Sequence, residues 1–194
     1  MSWQEDSKWE QDWWGNCCNT YGEETKQLHY ANRMGIQVQH DNKGPYIDMK
    51  NQSVLDIGGG PVSLLLKCRN LQYGVVLDPC NYPDWVFRRY REARIHLLVM
   101  RAEYSSTTPD VYDEVWIYNV LQHAEYPEKV AWNARKVAKI LRVFDWLEIP
   151  VGAGHPHILH KEQMDEWYRG EGKVVQGNGG LEYFGIFKGE HYGK

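Results

Sequence analysis

Cysteine is scarce in this chain: four among 194 residues, at positions 17, 18, 68 and 80. Cys17 and Cys18 are adjacent and no C-x-x-C occurs, so neither a disulfide frame nor a zinc site is indicated. Reduced thiols of this kind point to the cytoplasm. Long apolar runs are missing too. None approaches the ~18 residues of a membrane span, and the mean hydropathy is -0.64. The opening residues, Met1 to Asp6, are acidic and carry no apolar stretch, which excludes a secretory signal as an expectation. Basic charge is in deficit, with 22 Lys and Arg against 26 Asp and Glu and a net charge of -4. General nucleic-acid binders show the opposite balance. Phenylalanine is rare at four, whereas Trp reaches nine and Tyr 13. Trp3, Trp9, Trp13 and Trp14 crowd the first fourteen residues.

The length suits one domain with an ample core. Residues 1–35 read as a helical cap or lid, with Leu28, Ala31 and Met34 near helical spacing and Gly35 as the stop. Residues 36–194 read as the main domain, and the two form one compact unit. Asp41-Asn42-Lys43-Gly44-Pro45 marks a turn. A strand–helix alternation starts at Ser53. Strands are expected over 53–57, 74–78, 95–100, 113–118 and 143–149. Helices are expected over 62–68, 85–94, from Pro127 through Leu141, and over 161–169. The stripe of the Pro127 helix would be Val130, Ala134, Val137, Ala138 and Leu141. Two last strands, 173–176 and 181–187, are joined by Gly177-Asn178-Gly179-Gly180. This order predicts an α/β fold: a doubly wound, mostly parallel Rossmann-like sheet with an antiparallel C-terminal strand and an N-terminal helical lid. Ligands of such sheets bind at the carboxyl ends of the strands.

Val54-Leu55-Asp56-Ile57-Gly58-Gly59-Gly60 is the most informative stretch. The three glycines permit a sharp turn and close backbone approach. Asp78, at the end of the second strand, is placed to accept hydrogen bonds from a ribose diol. A Walker loop would need Gly-Lys-Ser/Thr, but Pro61-Val62 follows Gly60. A dinucleotide fingerprint would need a third glycine where Ser63 stands. A carboxylate at Asp56 suits a cationic amino group better than a diphosphate.

Asp56-x-Gly58-x-Gly60 followed by Asp78 resembles the first two motifs of class I S-adenosylmethionine-dependent methyltransferases. Arg101-Ala102-Glu103 after the third strand, the segment Asp113 to His123, Pro127-Glu128-Lys129, Val143 to Pro150 and His157 to Met164 continue in that family's order, over roughly residues 53–187. The resemblance implies S-adenosylmethionine as cofactor and S-adenosylhomocysteine as product. It places Asp56 against the methionine ammonium, Gly58, Gly59 and Gly60 around the tail, Asp78 and Pro79 at the ribose, Ala102 and Glu103 near the adenine, and the backbone of Asn119 and Val120 beside the amino group.

His123 is the candidate general base, since an imidazole pKa of ~6.5 can accept a proton near neutrality. Trp13, Trp14, Tyr21, His155 and His157 are candidates for the acceptor pocket. No metal is expected, because no carboxylate stands beside the histidines. After the fourth strand, Asn119-Val120-Leu121-Gln122 differs from the Asp/Asn-Pro-Pro-Tyr/Phe tip of DNA amino-methyltransferases. The only Pro-Cys, Pro79-Cys80, follows the wrong strand for a cytosine C5 enzyme. A small-molecule acceptor remains, with transfer to oxygen or nitrogen open. The alternatives are a non-catalytic S-adenosylmethionine-binding partner or regulatory protein, and an NAD-dependent oxidoreductase.

Overall fold

The computed structural model describes residues 3–107 and 111–193. The first two residues of the expected lid, and residues 108–110 and 194 of the main domain, lie outside the described residues. Two helices open the chain, α1 (Trp3–Trp14) and α2 (Tyr21–Arg33). A hairpin of β1 (Val38–Asp41) and β2 (Gly44–Asp48) turns at Asn42-Lys43. The sequence marks that turn but not its strands, which are short and mostly half-buried or exposed.

The central sheet has seven strands. They are β3 (Ser53–Ile57), β5 (Tyr73–Asp78), β6 (Ile95–Val99), β7 (Tyr112–Tyr118), β8 (Ala138–Leu147), β9 (Lys173–Gly177) and β10 (Gly180–Lys188). The two-residue β4 (Cys68–Arg69) pairs with β2 in a separate small sheet. The order is β6-β5-β3-β7-β8-β10-β9. Neighbours from β6 to β8 run parallel, and β10 is antiparallel to both β8 and β9. The chain winds outward from β3 in one direction, then returns to start β7 on its other side. Loops after β3 and β7 therefore diverge and open a crevice between them.

Strand alternation sends side chains to two cores. Leu55, Ile57, Val115, Ile117 and Val143 face α4 (Pro127–Val137) and α5 (Lys161–Tyr168). Val54, Val76, Trp116 and Phe144 face α2 and α3 (Asp84–Glu92). Each fully buried aliphatic or aromatic side chain contributes about 1.5–3 kcal/mol. Both faces are thus covered, as the continuous apolar strands require.

Two expected helices differ. Residues 62–68 form no α-helix but two 3-10 turns, Gly60–Val62 and Leu64–Lys67. Ser63 separates them with an extended ψ of 147°. Its hydroxyl is held by Asp56 and its amide by Tyr90. The helix from Pro127 ends at Val137 rather than Leu141, and β8 begins at Ala138 without a loop. Ala138 and Leu141 are buried on the strand, not on the helix. Their three-residue spacing fits a helical stripe, but pairing with Tyr112 and Val115 of β7 overrides it.

Candidate active site

A cleft of about 550 Å³ opens at the carboxyl ends of β3, β5 and β7. Gly58, Asp78, Pro79, Ala102, Glu103, Asn119 and Val120 line it. Gly58 has φ +73°, and a Cβ there would lie 2.4 Å from Val120 Cγ2. Glycine is therefore needed for both conformation and space. The wall behind it is Asp56, Gly59 and Gly60, none of which is in the lining.

Asp56 does not face the cleft as expected. It is fully buried, and its Oδ2 accepts from Ser63 Oγ and Tyr118 Oη, each at 2.5 Å. In-plane alternation puts it on the Val54 side of β3, beneath the glycine turn. A Cβ on Gly59 would lie 2.6 Å from Asp56 Oδ2, so the carboxyl and the glycine pack as a unit. Burial pushes the Asp56 carboxyl up to about 7. It braces the loop from within.

Asp78 does reach the cleft. Its Oδ2 accepts from Gly60 N at 3.0 Å, and its Oδ1 from Cys80 N and Tyr82 Oη. Burial raises it to about 6 against these stabilising donors. Gly60, Ser63, Leu64 and Leu65 amides all point to protein acceptors: Asp78, Tyr90 Oη, Tyr118 Oη and Ser63 Oγ. These four amides are thus not turned to a diphosphate, and 3-10 turns stand where its α-helix N-terminus would be. The carboxylates of Asp78, Glu103 and Glu10 around the cleft oppose an anion and fit a ribose-bearing cation.

At the far end, Glu103 Oε1 accepts from the Glu125 and Tyr126 amides, and Arg101 pairs with Glu103 and Glu125. Asp145 in β8 does the same for the β7 loop. Its Oδ2 accepts from Val120 N at 3.2 Å and Leu121 N at 2.8 Å. Its burial raises it to about 7.

A second, wider cavity of about 1050 Å³ lies beside the first. Glu10, Asn119 and His123 line both. Trp13, Trp14 and His155 line the second, as expected, together with Trp9, Tyr30 and Trp146. The lid docks through aromatic contacts. Trp9 lies over Gly154, where a Cβ would be 2.4 Å away, and Trp14 lies over Gly60. Trp9 and Trp13 stack at 5.8 Å. Tyr21 is 81% exposed at the start of α2 and is not in the lining. His157 is turned to the Glu125 carbonyl at 3.1 Å and is also outside it.

His123 Nδ1 is 2.6 Å from the Gly154 carbonyl. A carbonyl accepts only, so this assigns the ring hydrogen to Nδ1 and the lone pair to Nε2, which lies 3.4 Å from Gln122 Nε2. Among the described residues no group of three or more His, Cys, Asp or Glu could hold a metal ion, and no helix is long and apolar enough to cross a membrane.

Sequence reading passes over Glu10, Trp9, Tyr30, Gln122, Trp146 and Asp145. Trp9, Glu10, Trp13 and Trp14 share one helix face by i, i+4 spacing, a signal present in the sequence. Asp145 is visible in the sequence as an acid flanked by apolar and aromatic residues within an expected strand. Tyr30, Gln122 and Trp146 are brought in by tertiary packing alone.

No protein-family model matches the chain, and no curated protein matches it in sequence. Solved structures do match in shape. An O-methyltransferase family protein from Burkholderia thailandensis aligns over 100% of this chain and 65% of its own, with TM-score 0.66 and 12% identity. This chain therefore spans somewhat less than two thirds of that protein. The N-methyltransferase NodS from Bradyrhizobium japonicum WM9, in complex with S-adenosyl-L-homocysteine, aligns over 97% and 95%, with TM-score 0.57 and 15% identity. A 1,6-didemethyltoxoflavin-N1-methyltransferase from Burkholderia thailandensis, with bound 1,6-didemethyltoxoflavin and S-adenosylhomocysteine, aligns over 92% and 83%, with TM-score 0.59 and 11% identity. With the strand order and the antiparallel β10, these likenesses show that the chain has the fold of the class I S-adenosylmethionine-dependent methyltransferases.

Proposed function

We propose that the protein is an S-adenosylmethionine-dependent methyltransferase acting on a small-molecule acceptor. The observation that carries this reading is the meeting of two cavities at Glu10, Asn119 and His123. One cavity has the carboxylate and glycine of a nucleoside-binding strand tip, and the other is aromatic. Methyl transfer needs this arrangement, because donor and acceptor must approach in line with water excluded. S-adenosylmethionine supplies the activated methyl group when bound.

The chain's own residues do the rest. Asp78 accepts from the ribose diol, with Pro79 beside it. Gly58 brings backbone close to the tail, and the Asn119–Val120 backbone closes the other side. Ala102 and Glu103 bound the adenine end. Asp56 and Asp145 act at one remove, by fixing the two loops. His123 Nε2 takes the proton that an acceptor oxygen or nitrogen releases. Residues 1–35 serve as the cap, through Trp9, Glu10, Trp13 and Trp14. A fold neighbour solved with 1,6-didemethyltoxoflavin bound, the N1-methyltransferase, supports this choice of acceptor size.

Calorimetry with S-adenosylmethionine, S-adenosylhomocysteine and NAD tests the cofactor. The first two should bind and NAD should not. Release of S-adenosylhomocysteine across a varied acceptor panel then tests turnover. Binding without release from any acceptor would favour a non-catalytic partner protein. Removal of residues 1–22 should abolish turnover while leaving the sheet folded by circular dichroism. Full activity of that truncation would exclude the cap role.

A further inference from the structure

The second cavity has a more definite chemistry than small-molecule acceptor. Its rings come from three helix and strand sources: Trp9, Trp13 and Trp14 of α1, Tyr30 of α2 and Trp146 of β8. Flat faces of this kind hold a flat aromatic ligand or a cation. Two further groups define its polar end. Gln122 lines the cavity and is 3% exposed, and its Oε1 is buried with no hydrogen-bond partner. Its Nε2 is already engaged with Asn119 Oδ1 at 3.2 Å and with His123 Nε2 at 3.4 Å, a contact that gives way when the imidazole takes a proton. A buried unpaired carbonyl oxygen on a residue that lines the cavity retains the capacity to accept a hydrogen bond. The second group is Glu10, at the junction with the cofactor cleft.

Charge at that junction is negative. Glu10 Oε1 accepts from Trp14 Nε1 at 2.9 Å, and Oε2 lies 3.8 Å from His123 Nδ1. The cations in the linings are paired with other acids: Lys26 with Glu23 at 2.6 Å, and Arg101 with Glu103 and Glu125. Burial raises the Glu10 carboxyl, opposed by the Trp14 hydrogen bond, and the Glu23 charge adds to the rise. A cationic ligand would relieve that strain. An acceptor oxygen must move toward an anion before it attacks, and a carboxylate beside it opposes this. An amine starts as a cation or N–H donor, which the same carboxylate attracts.

We propose that the acceptor is an aromatic-ring amine, with its ring among the tryptophans and its nitrogen at Glu10 and Gln122, and that it is methylated on nitrogen. This rests on the methyltransferase reading above. An ammonium first gives one proton to solvent. The neutral nitrogen's lone pair then forms the N–C bond as the C–S bond breaks, and the bonding pair stays on sulfur. The product amine is cationic and gives its extra proton to His123 Nε2.

The test uses the full chain saturated with S-adenosylhomocysteine and three indole probes of similar shape: tryptamine, indole-3-ethanol and indole-3-acetate. Calorimetry should rank the amine about tenfold or more above the alcohol, with the acid weakest. Glu10→Gln should bring the amine down to the alcohol and leave the alcohol unchanged. Trp13 is 60% exposed, so Trp13→Ala should fold, and it should weaken amine and alcohol by the same factor. With S-adenosylmethionine in place of the product, mass spectrometry should find N-methyltryptamine. An alcohol or acid that binds as well as the amine would overturn the proposal, as would binding of none of the three. Failure of S-adenosylhomocysteine itself to bind would instead overturn the underlying methyltransferase reading.

Discussion

Gly58→Ala isolates the geometry on which the cleft depends. Gly58 has φ +73°, and an alanine held there costs about 1–2 kcal/mol from its own Cβ. The added carbon would also lie 2.4 Å from Val120 Cγ2 and 2.9 Å from Cγ1. Overpacking of this kind costs about 1–3 kcal/mol. The two effects are separate, so the variant should lose about 2–5 kcal/mol. A domain usually has about 5–15 kcal/mol in hand, so most molecules should remain folded at room temperature. Urea unfolding followed by tryptophan fluorescence gives the loss directly. Gly58 and Val120 pack against each other and both line the cleft, so calorimetric affinity for S-adenosylhomocysteine should fall as well. Val120→Ala removes both Cγ atoms and leaves the φ penalty. Val120 Cβ stays 3.2 Å from the added carbon, so the double variant should recover most of the steric part and none of the φ penalty, a coupling that a mutant cycle measures. A Gly58→Ala protein as stable as the parent, or one that Val120→Ala does not improve, would refute this account of the turn.

Other perturbations follow from the buried acids. Asp56 and Asp145 are raised to about 7 and Asp78 to about 6, from an ordinary 3.8. The folded chain thus keeps protons that the unfolded chain has lost, so stability should fall as pH rises through that window. Asp56→Asn cannot titrate there and should flatten the slope of urea midpoint against pH; an unchanged slope would contradict the Asp56 assignment. Asp78→Ala removes the one cleft carboxylate at the β5 tip, and S-adenosylhomocysteine should bind about tenfold or more weakly by calorimetry. His123→Ala should lower kcat by about a hundredfold and leave cofactor affinity intact, as steady-state kinetics and calorimetry would show.

Much of this was legible because the chemistry sits at strand ends. Gly58, Asp78, Ala102, Glu103, Asn119 and Val120 follow apolar strands that announce themselves, and the structure gathers all of them in one cleft. Asp56 shows where spacing stops being informative. Residue spacing locates a side chain along a strand but not which face it takes, and the register of β3 sends this one inward with Val54. The same limit explains the 3-10 turns at 60–67. Apolar residues there suit a helix, but Ser63 and Leu64 donate instead to Asp56, Tyr90 and Tyr118, acceptors that arrive from three separate elements. Tyr21 and His157 fail for a related reason, since nearness in sequence to Trp14 and His155 does not carry them into the cavity.

The loops of the cleft are thus held from opposite directions. Asp56, Tyr118 and Asp145 fix them from the interior, while Trp9, Glu10 and Trp14 press on them from outside. The interior braces are in place whenever the sheet is folded. The outer ones depend on α1 being docked, and α1 carries both the carboxylate at the junction and most of the ring surface. Cofactor recognition and acceptor recognition are therefore divided between sheet and helix. Variants of the interior acids should change binding of S-adenosylhomocysteine first, and variants of α1 should change the choice of acceptor first.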